Sequence, residues 1–146
     1  MKTALLIALA LAATTAGLAR AEQRSVTVST STSKLGRILV DSRGRTLYLF
    51  ERDRPGRSAC TGTCAVYWPP LLTHSSPRSG GNAKQSLIGV TRRSNGTRQV
   101  TYAGHPLYLY LGDTGPGSTA GQDSHTFGAG WYVVSPAGRR IEKGGS

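Results

Sequence analysis

The stretch TLYLFERD, Thr46–Asp53, returns sixty residues later as PLYLYLGD, Pro106–Asp113. Both read Leu-Tyr-Leu-aromatic, then two residues, then Asp. Working outward, Gly36–Asp53 lies over Gly96–Asp113 without a gap. Gly36/Gly96, Val40/Val100, Gly44/Gly104, Leu47/Leu107, Tyr48/Tyr108, Leu49/Leu109 and Asp53/Asp113 are identical, and Phe50/Tyr110 is conservative. Each half then carries a Pro-Gly pair, Pro55-Gly56 and Pro116-Gly117, followed by a Trp that opens an extended segment, Trp68 and Trp131. This is an internal duplication. Two copies are too few for a solenoid. They imply one domain with approximate two-fold symmetry, in which each copy covers the apolar face of the other.

The repeated unit reads as strands. RILVD and TLYLF are short β-rich runs parted by SRGR, and TRQVTY and PLYLY are parted by AGH. Asn95-Gly96 is the strongest hairpin signal in the chain. The spacing predicts a meander over 86–92, 98–102 and 106–110, and by symmetry strands over 26–31, 37–41 and 45–50. WYVVSPAGRRIE predicts a further hairpin across Pro136-Ala137-Gly138, and TCAVYW a single helical turn. In TLYLF, Leu47 and Leu49 point one way and Thr46, Tyr48 and Phe50 the other. Both sets are apolar enough to be buried. The expected class is therefore all-β, with two homologous repeats forming one pseudo-two-fold antiparallel sandwich or small barrel. The repeats cover about 26–72 and 86–141, joined by a polar Gly/Ser/Pro linker, Thr73–Ser86.

The start of the chain reads differently. Met1-Lys2, the apolar run Ala4–Ala19 and the A-x-A site Ala19-Arg20-Ala21 form a signal peptide, 1–21, with the mature chain beginning at Glu22. No Cys follows the apolar run, so no lipid attachment point is expected there. The remaining chain, 146 − 21 = 125 residues, suffices for one modest core. Losing Lys2 and Arg20 takes the net charge from +11 to +9. Such an exported protein, secreted or periplasmic, tends to attract polyanions, anionic envelope polymers among them, but composition alone accounts for such a pI more readily and the sequence names no partner. No Lys/Arg run exceeds two residues, and no specific nucleic-acid patch, membrane span or oligomer signal is legible. Cys60 and Cys64, in CTGTC, enter an oxidising compartment, where a disulfide is the default. Closing so short a loop is worth roughly 2 kcal/mol.

Tyr48-x-Phe50-x-x-Asp53 and Tyr108-x-Tyr110-x-x-Asp113 resemble the Y-x-(F/W/Y)-x-x-D signature of a bacterial family of secreted repeats, the predicted lipoproteins. GRTLYLF, Cys60-x-Gly62-x-Cys64, WPPL at Trp68–Leu71 and GTRQVTYAGHPLYLY are similar to that family too. The resemblance spans Lys34 to Gly138. It departs from the family in lacking a lipobox Cys. It implies no activity, because the family is described by its motif rather than by a function.

The residues able to carry chemistry have two readings each. Asp53 and Asp113, just past a strand end, are expected to accept hydrogen bonds from loop amides, with the tyrosine rings packed and their hydroxyls directed to a partner. The functional alternative makes them a carboxylate pair of a small hydrolase, cleaving glycosides. Cys60 and Cys64 are read as a structural disulfide, with a redox or copper-handling pair as the alternative. The spacing is neither C-x-x-C nor C-x-x-C-H, and no Met other than Met1 exists to join a copper site. His74, His105 and His125 form no H-x-H or H-x-x-x-H, and His105 is expected to be a solvated turn residue. Gly112–Gln122 lacks Lys, precedes no helix and is expected to be a flexible loop rather than a phosphate cradle. Trp68, before two prolines, is expected to cap the end of the domain. No catalytic residue, metal ligand or cofactor is expected. The resulting reading is an exported non-enzymatic binding or structural module.

Overall fold

The structure, a computed structural model, describes residues 25–142. The signal peptide and the Glu22 start fall outside the described residues. In chain order the elements are β1 (Thr27–Ser33), β2 (Gly36–Val40), β3 (Tyr48–Phe50), α1 (Thr63–Tyr67), β4 (Arg78–Ser79), β5 (Ile88–Arg92), β6 (Arg98–Tyr102), β7 (His105–Pro106) and β8 (Trp131–Val133). They form three small sheets, ordered β2-β1-β4, β3-β8 and β5-β6-β7. The chain is all-β apart from α1, the single turn expected at TCAVYW, and two 3-10 turns.

The duplicated phrases meet at their centres. The Tyr48 amide donates to the Tyr108 carbonyl at 2.9 Å, and the Tyr108 amide returns the bond to Tyr48 at 3.0 Å. Each phrase is flanked on its other edge by a Trp segment. Phe50 pairs with Trp131 and Tyr48 with Val133, while Pro70 faces Tyr108. The Trp131 segment belongs to the second copy but pairs with the first, and the Trp68 segment does the reverse. Exchange of these segments interlocks the two copies. The identical Gly44 and Gly104 both hold positive φ, 78° and 82°, at the turn before the phrase. A side chain is strained in that region, which is why Gly stands at both positions.

Strand alternation sorts the core into two clusters. Leu39, Leu47, Leu49, Val100, Leu107 and Val134 pack with Val28, Leu71, Tyr102 and Tyr132. Ile38, Val40, Tyr48, Phe50, Tyr108 and Val133 pack with the disulfide, Trp68 and Trp131 on the other side. The phrase is buried on both faces because it is the wall between an aliphatic and an aromatic cluster.

Three expectations are corrected. The 73–86 segment is more than a linker. It contains β4, which pairs in parallel with β1, and a 3-10 turn at Gln85–Leu87. Gln85 stabilises it by accepting from the Ser79 amide at 2.8 Å. The 112–122 loop is pinned, since the Thr46 hydroxyl donates to the Ser118 carbonyl at 2.6 Å and the Gly121 amide to the Tyr48 hydroxyl at 3.3 Å. His105 opens β7 and is half-buried, and desolvation lowers its pKa. The turn before it is made by Ala103 and Gly104, both at positive φ.

Candidate functional site

The motif residues converge where the copies meet, and they pair across the duplication. The Tyr48 hydroxyl donates to the Asp113 carboxylate at 2.9 Å, and the Tyr108 hydroxyl donates to Asp53 at 2.8 Å. Each aspartate also closes its own loop. Asp53 accepts from the Ala59 amide at 2.7 Å and Asp113 from the Ala120 amide at 3.0 Å. Ser58 and Ser118 complete the two ends, at 2.7 Å from the Tyr108 hydroxyl and 3.1 Å from the Asp113 carboxylate. With the Tyr108 proton committed to Asp53, the Ser58 hydroxyl donates to Tyr108. The expected Asp-to-loop bonds are present. The partner of each tyrosine lies in the other copy, a choice that two identical motifs cannot reveal.

The second aromatic of each motif has an equally definite place. Tyr110 stacks on Trp68 at 4.2 Å, Trp68 on Trp131 at 3.9 Å, and Trp131 on Phe50 at 4.0 Å. Tyr48 meets Trp68 edge-on at 5.3 Å, and Tyr108 meets Trp131 likewise at 5.1 Å. Both indole N–H groups donate to Thr126, one to its hydroxyl at 3.2 Å and one to its carbonyl at 2.9 Å. Trp68 is therefore the inside of a stack, not a lid over the domain's end. Aromatic pairs at these geometries add about 0.5–1.5 kcal/mol each beyond the area they bury.

Electrostatics follow burial. Desolvation raises the Asp53 pKa to about 6, against the opposing pull of the Ala59 amide, the Tyr108 hydroxyl and the Arg93 charge. Asp113 is also raised by burial, opposed by Tyr48, Ala120 and Ser118. Both tyrosines are pushed above the ordinary phenol range, first by burial and then by the neighbouring carboxylate charge. They remain neutral donors at any physiological pH.

Cys60 and Cys64 are disulfide-bonded, buried, and joined to the aromatic cluster. The bond clips the loop that carries Ser58 and Ala59 to the base of α1. Arg93, which the sequence reading did not single out, is buried and reaches into this loop from the second copy. Its guanidinium donates to the Cys60 carbonyl at 2.6 Å, to Ser58 at 2.9 Å and to Gln99 at 2.8 Å. Gln99 is fully buried and passes the network on to the Leu107 carbonyl at 2.8 Å. The signal for it was available, because a Gln stands in the second copy where the first has Leu39. Among the described residues, no buried side-chain polar atom lacks a hydrogen-bond partner, and no cluster of three His, Cys, Asp or Glu could hold a metal.

Residues 29–72 and 89–135 match a family model described as a secreted repeat of unknown function, one match per copy. No curated protein and no solved structure matches the chain. The chain belongs to this secreted-repeat family.

Proposed function

We propose that this protein is a non-enzymatic binding module that works outside the cytoplasm and engages anionic envelope polymers through its basic surface. The observation that carries the proposal is where the charges go. Asp53 and Asp113 turn inward to tyrosines, Asp41 is bound by Arg45, and Glu51 and Glu142 by Arg140. Among the described residues, those are the only arginines or lysines in ion pairs. The remaining cations, nearly all exposed, outnumber the one further exposed carboxylate among the described residues, Asp123 beside His125, so the surface is positive on balance and draws polyanions. No described helix is long and apolar enough to cross a membrane.

The groups with chemical potential are occupied in the fold. The two carboxylates hold phenols and loop amides, and the two sulfurs hold each other. That occupancy favours a structural role for the motif over the hydrolase and redox readings.

Retention on immobilised polyanions tests the proposal. The mature protein is expected to bind a polyphosphate or polycarboxylate resin at low salt and to elute as ionic strength rises past the point where the Debye length falls below about 10 Å. An uncharged polysaccharide resin should not retain it. Equal retention on neutral and anionic resins, or hydrolysis of a glycan substrate that Asp53→Asn abolishes, rejects the reading.

A further inference from the structure

We infer that the loop between β3 and the disulfide is a phosphate-binding site, formed by Arg52, Arg54 and Arg57 around a cavity that Ser58 and Ala59 also line. The inference rests on the polyanion reading above and names the group within the polymer that is held.

These five residues line one surface cavity of about 340 Å³. That is small for a ligand pocket, near the lower end of the ~300–1,000 Å³ range, and suits a single charged group rather than a large ligand. Three arginines within six residues of chain line it. The Arg52 guanidinium makes only a long 3.5 Å contact to the Phe127 carbonyl. Arg54 and Arg57 side chains have no hydrogen-bond or ion-pair partner among the described residues. The two carboxylates adjacent in sequence are already engaged, Glu51 by Arg140 and Asp53 by the Ala59 amide and Tyr108. Three like charges held together without a counter-ion repel one another, so the arrangement is relieved by binding an anion.

The fold does not require these arginines. The equivalent stretch of the second copy, Leu111–Ala120, makes a similar turn and contains no Lys or Arg. The charges are therefore an addition to one copy of a duplicated scaffold. The scaffold under them is fixed. Arg54 and Arg57 exchange backbone bonds at 3.1 and 2.9 Å, the Gly56 amide donates to the Gly104 carbonyl at 2.8 Å, and the Thr91 hydroxyl donates to the Gly56 carbonyl. The Cys60–Cys64 bond closes the far side. A rigid frame presenting forked donors is what bidentate capture of an oxyanion needs. Phosphate is the anion favoured over carboxylate. Its several oxygens can each meet a guanidinium edge, whereas a single carboxylate would leave part of the cluster unpaired.

Titration at fixed ionic strength, followed by amide NMR and calorimetry, tests the site. The ligands are inorganic phosphate, a glycerol-phosphate oligomer and polyglutamate. The proteins are the mature chain, the triple variant Arg52→Gln/Arg54→Gln/Arg57→Gln, and a charge-matched control, Arg37→Gln/Arg43→Gln/Arg78→Gln. The oligomer is expected to shift amides of residues 52–59 selectively. The site variant should bind it roughly tenfold more weakly, the size of one lost charge-assisted hydrogen bond, and the control should stay within about threefold of wild type. Equal loss in both triple variants would mean diffuse attraction, overturning the site while leaving polyanion binding intact. Polyglutamate binding as tightly at the same residues overturns phosphate as the recognised group. Inorganic phosphate binding as tightly as the oligomer assigns the site to the free ion and overturns the polymer. If wild type retains none of the three, the polyanion reading itself is wrong.

Discussion

The hydroxyl of Tyr48 has its only strong acceptor in the other copy, and the same holds for Tyr108. Removing either acceptor leaves a buried donor and a loop amide unpaired. Asp53→Ala and Asp113→Ala should each cost about 1–3 kcal/mol, and by similar amounts, with Asn rescuing in part because it keeps an acceptor oxygen. Tyr48→Phe and Tyr108→Phe should be milder, since the ring still packs. The crossing of the pairs predicts more than the magnitudes. In double-mutant melts, Tyr48→Phe should couple to Asp113→Ala, and Tyr108→Phe to Asp53→Ala, while pairs taken within one copy should add to within about 0.5 kcal/mol. Coupling that follows the sequence motif rather than the crossed geometry would refute the assignment. Acidification gives a second handle. The folded Asp53 titrates near 6, above the ordinary carboxyl range, so between pH 4 and pH 6 the folded state holds a proton that the unfolded state releases. Stability from this group is then fully present only below the unfolded carboxyl value of 3.8 and is lost as pH rises through 6. Half-buried His105, with its lowered pKa, works in the opposite sense as pH falls below its ordinary value of 6.5. The comparison must therefore be made against Asp53→Asn, which keeps His105. On going from pH 7 to pH 4, the melting temperature of wild type should rise relative to Asp53→Asn. A constant difference between the two across that range would contradict the raised pKa.

At the scale of elements, the aromatic stack and the clipped loop carry the most consequence. Trp131 lies between Trp68 and Phe50 and is fully buried. Trp131→Ala should cost about 3–5 kcal/mol, and Trp68→Ala the same, because each empties the centre of the stack. Gly121 is a sharper probe. A Cβ built there would lie 2.7 Å from the Trp68 ring and 2.9 Å from the Tyr48 ring, so Gly121→Ala should destabilise by about 1–3 kcal/mol through overpacking. Thermal melts measure all three, and a wild-type melt for Gly121→Ala would show that the loop yields without displacing the rings. Much of this layer was legible in the sequence. Seven identities in an ungapped overlay announced the duplication, and the alternation in TLYLF correctly sent Leu47 and Leu49 to one cluster and Tyr48 and Phe50 to another. What lay beyond reach depended on which copy contributes a partner. Identical motifs are degenerate in that respect, so neither the crossed Tyr–Asp bonds nor the exchange of Trp segments could be chosen from composition. The β4 strand was hidden for another reason. It is a two-residue parallel pairing within a Gly/Ser/Pro segment, where turn propensity outweighs strand propensity.

The whole molecule inherits its cooperativity from those exchanges. Neither copy contains a complete set of partners. The first supplies Tyr48, whose acceptor is Asp113, and β3, which forms a two-stranded sheet with β8 of the second. The second supplies Tyr108, whose acceptor is Asp53, and Arg93, whose guanidinium secures the disulfide loop of the first. Cut between Asn82 and Ala83, each fragment would keep its local hairpin, β1-β2 or β5-β6, and lose the wall between the clusters together with half of the four-ring stack. Chains of about 60 residues are marginal even with a complete core, because they bury too small a share of their surface to offset the entropy of ordering. The disulfide does not compensate, since its short loop lies wholly within the first copy and contributes only about 2 kcal/mol. Fragments 22–82 and 83–146 should therefore each be unfolded alone, with collapsed amide dispersion. Mixed at equal concentration, they should recover the spectrum of the intact chain, because every exchanged contact is then available again. The intact protein should unfold in one transition, with calorimetric and van't Hoff enthalpies in agreement. A fragment that folds by itself, or two separate transitions in the intact chain, would mean that the copies are independent domains and that the crossed contacts are incidental to stability.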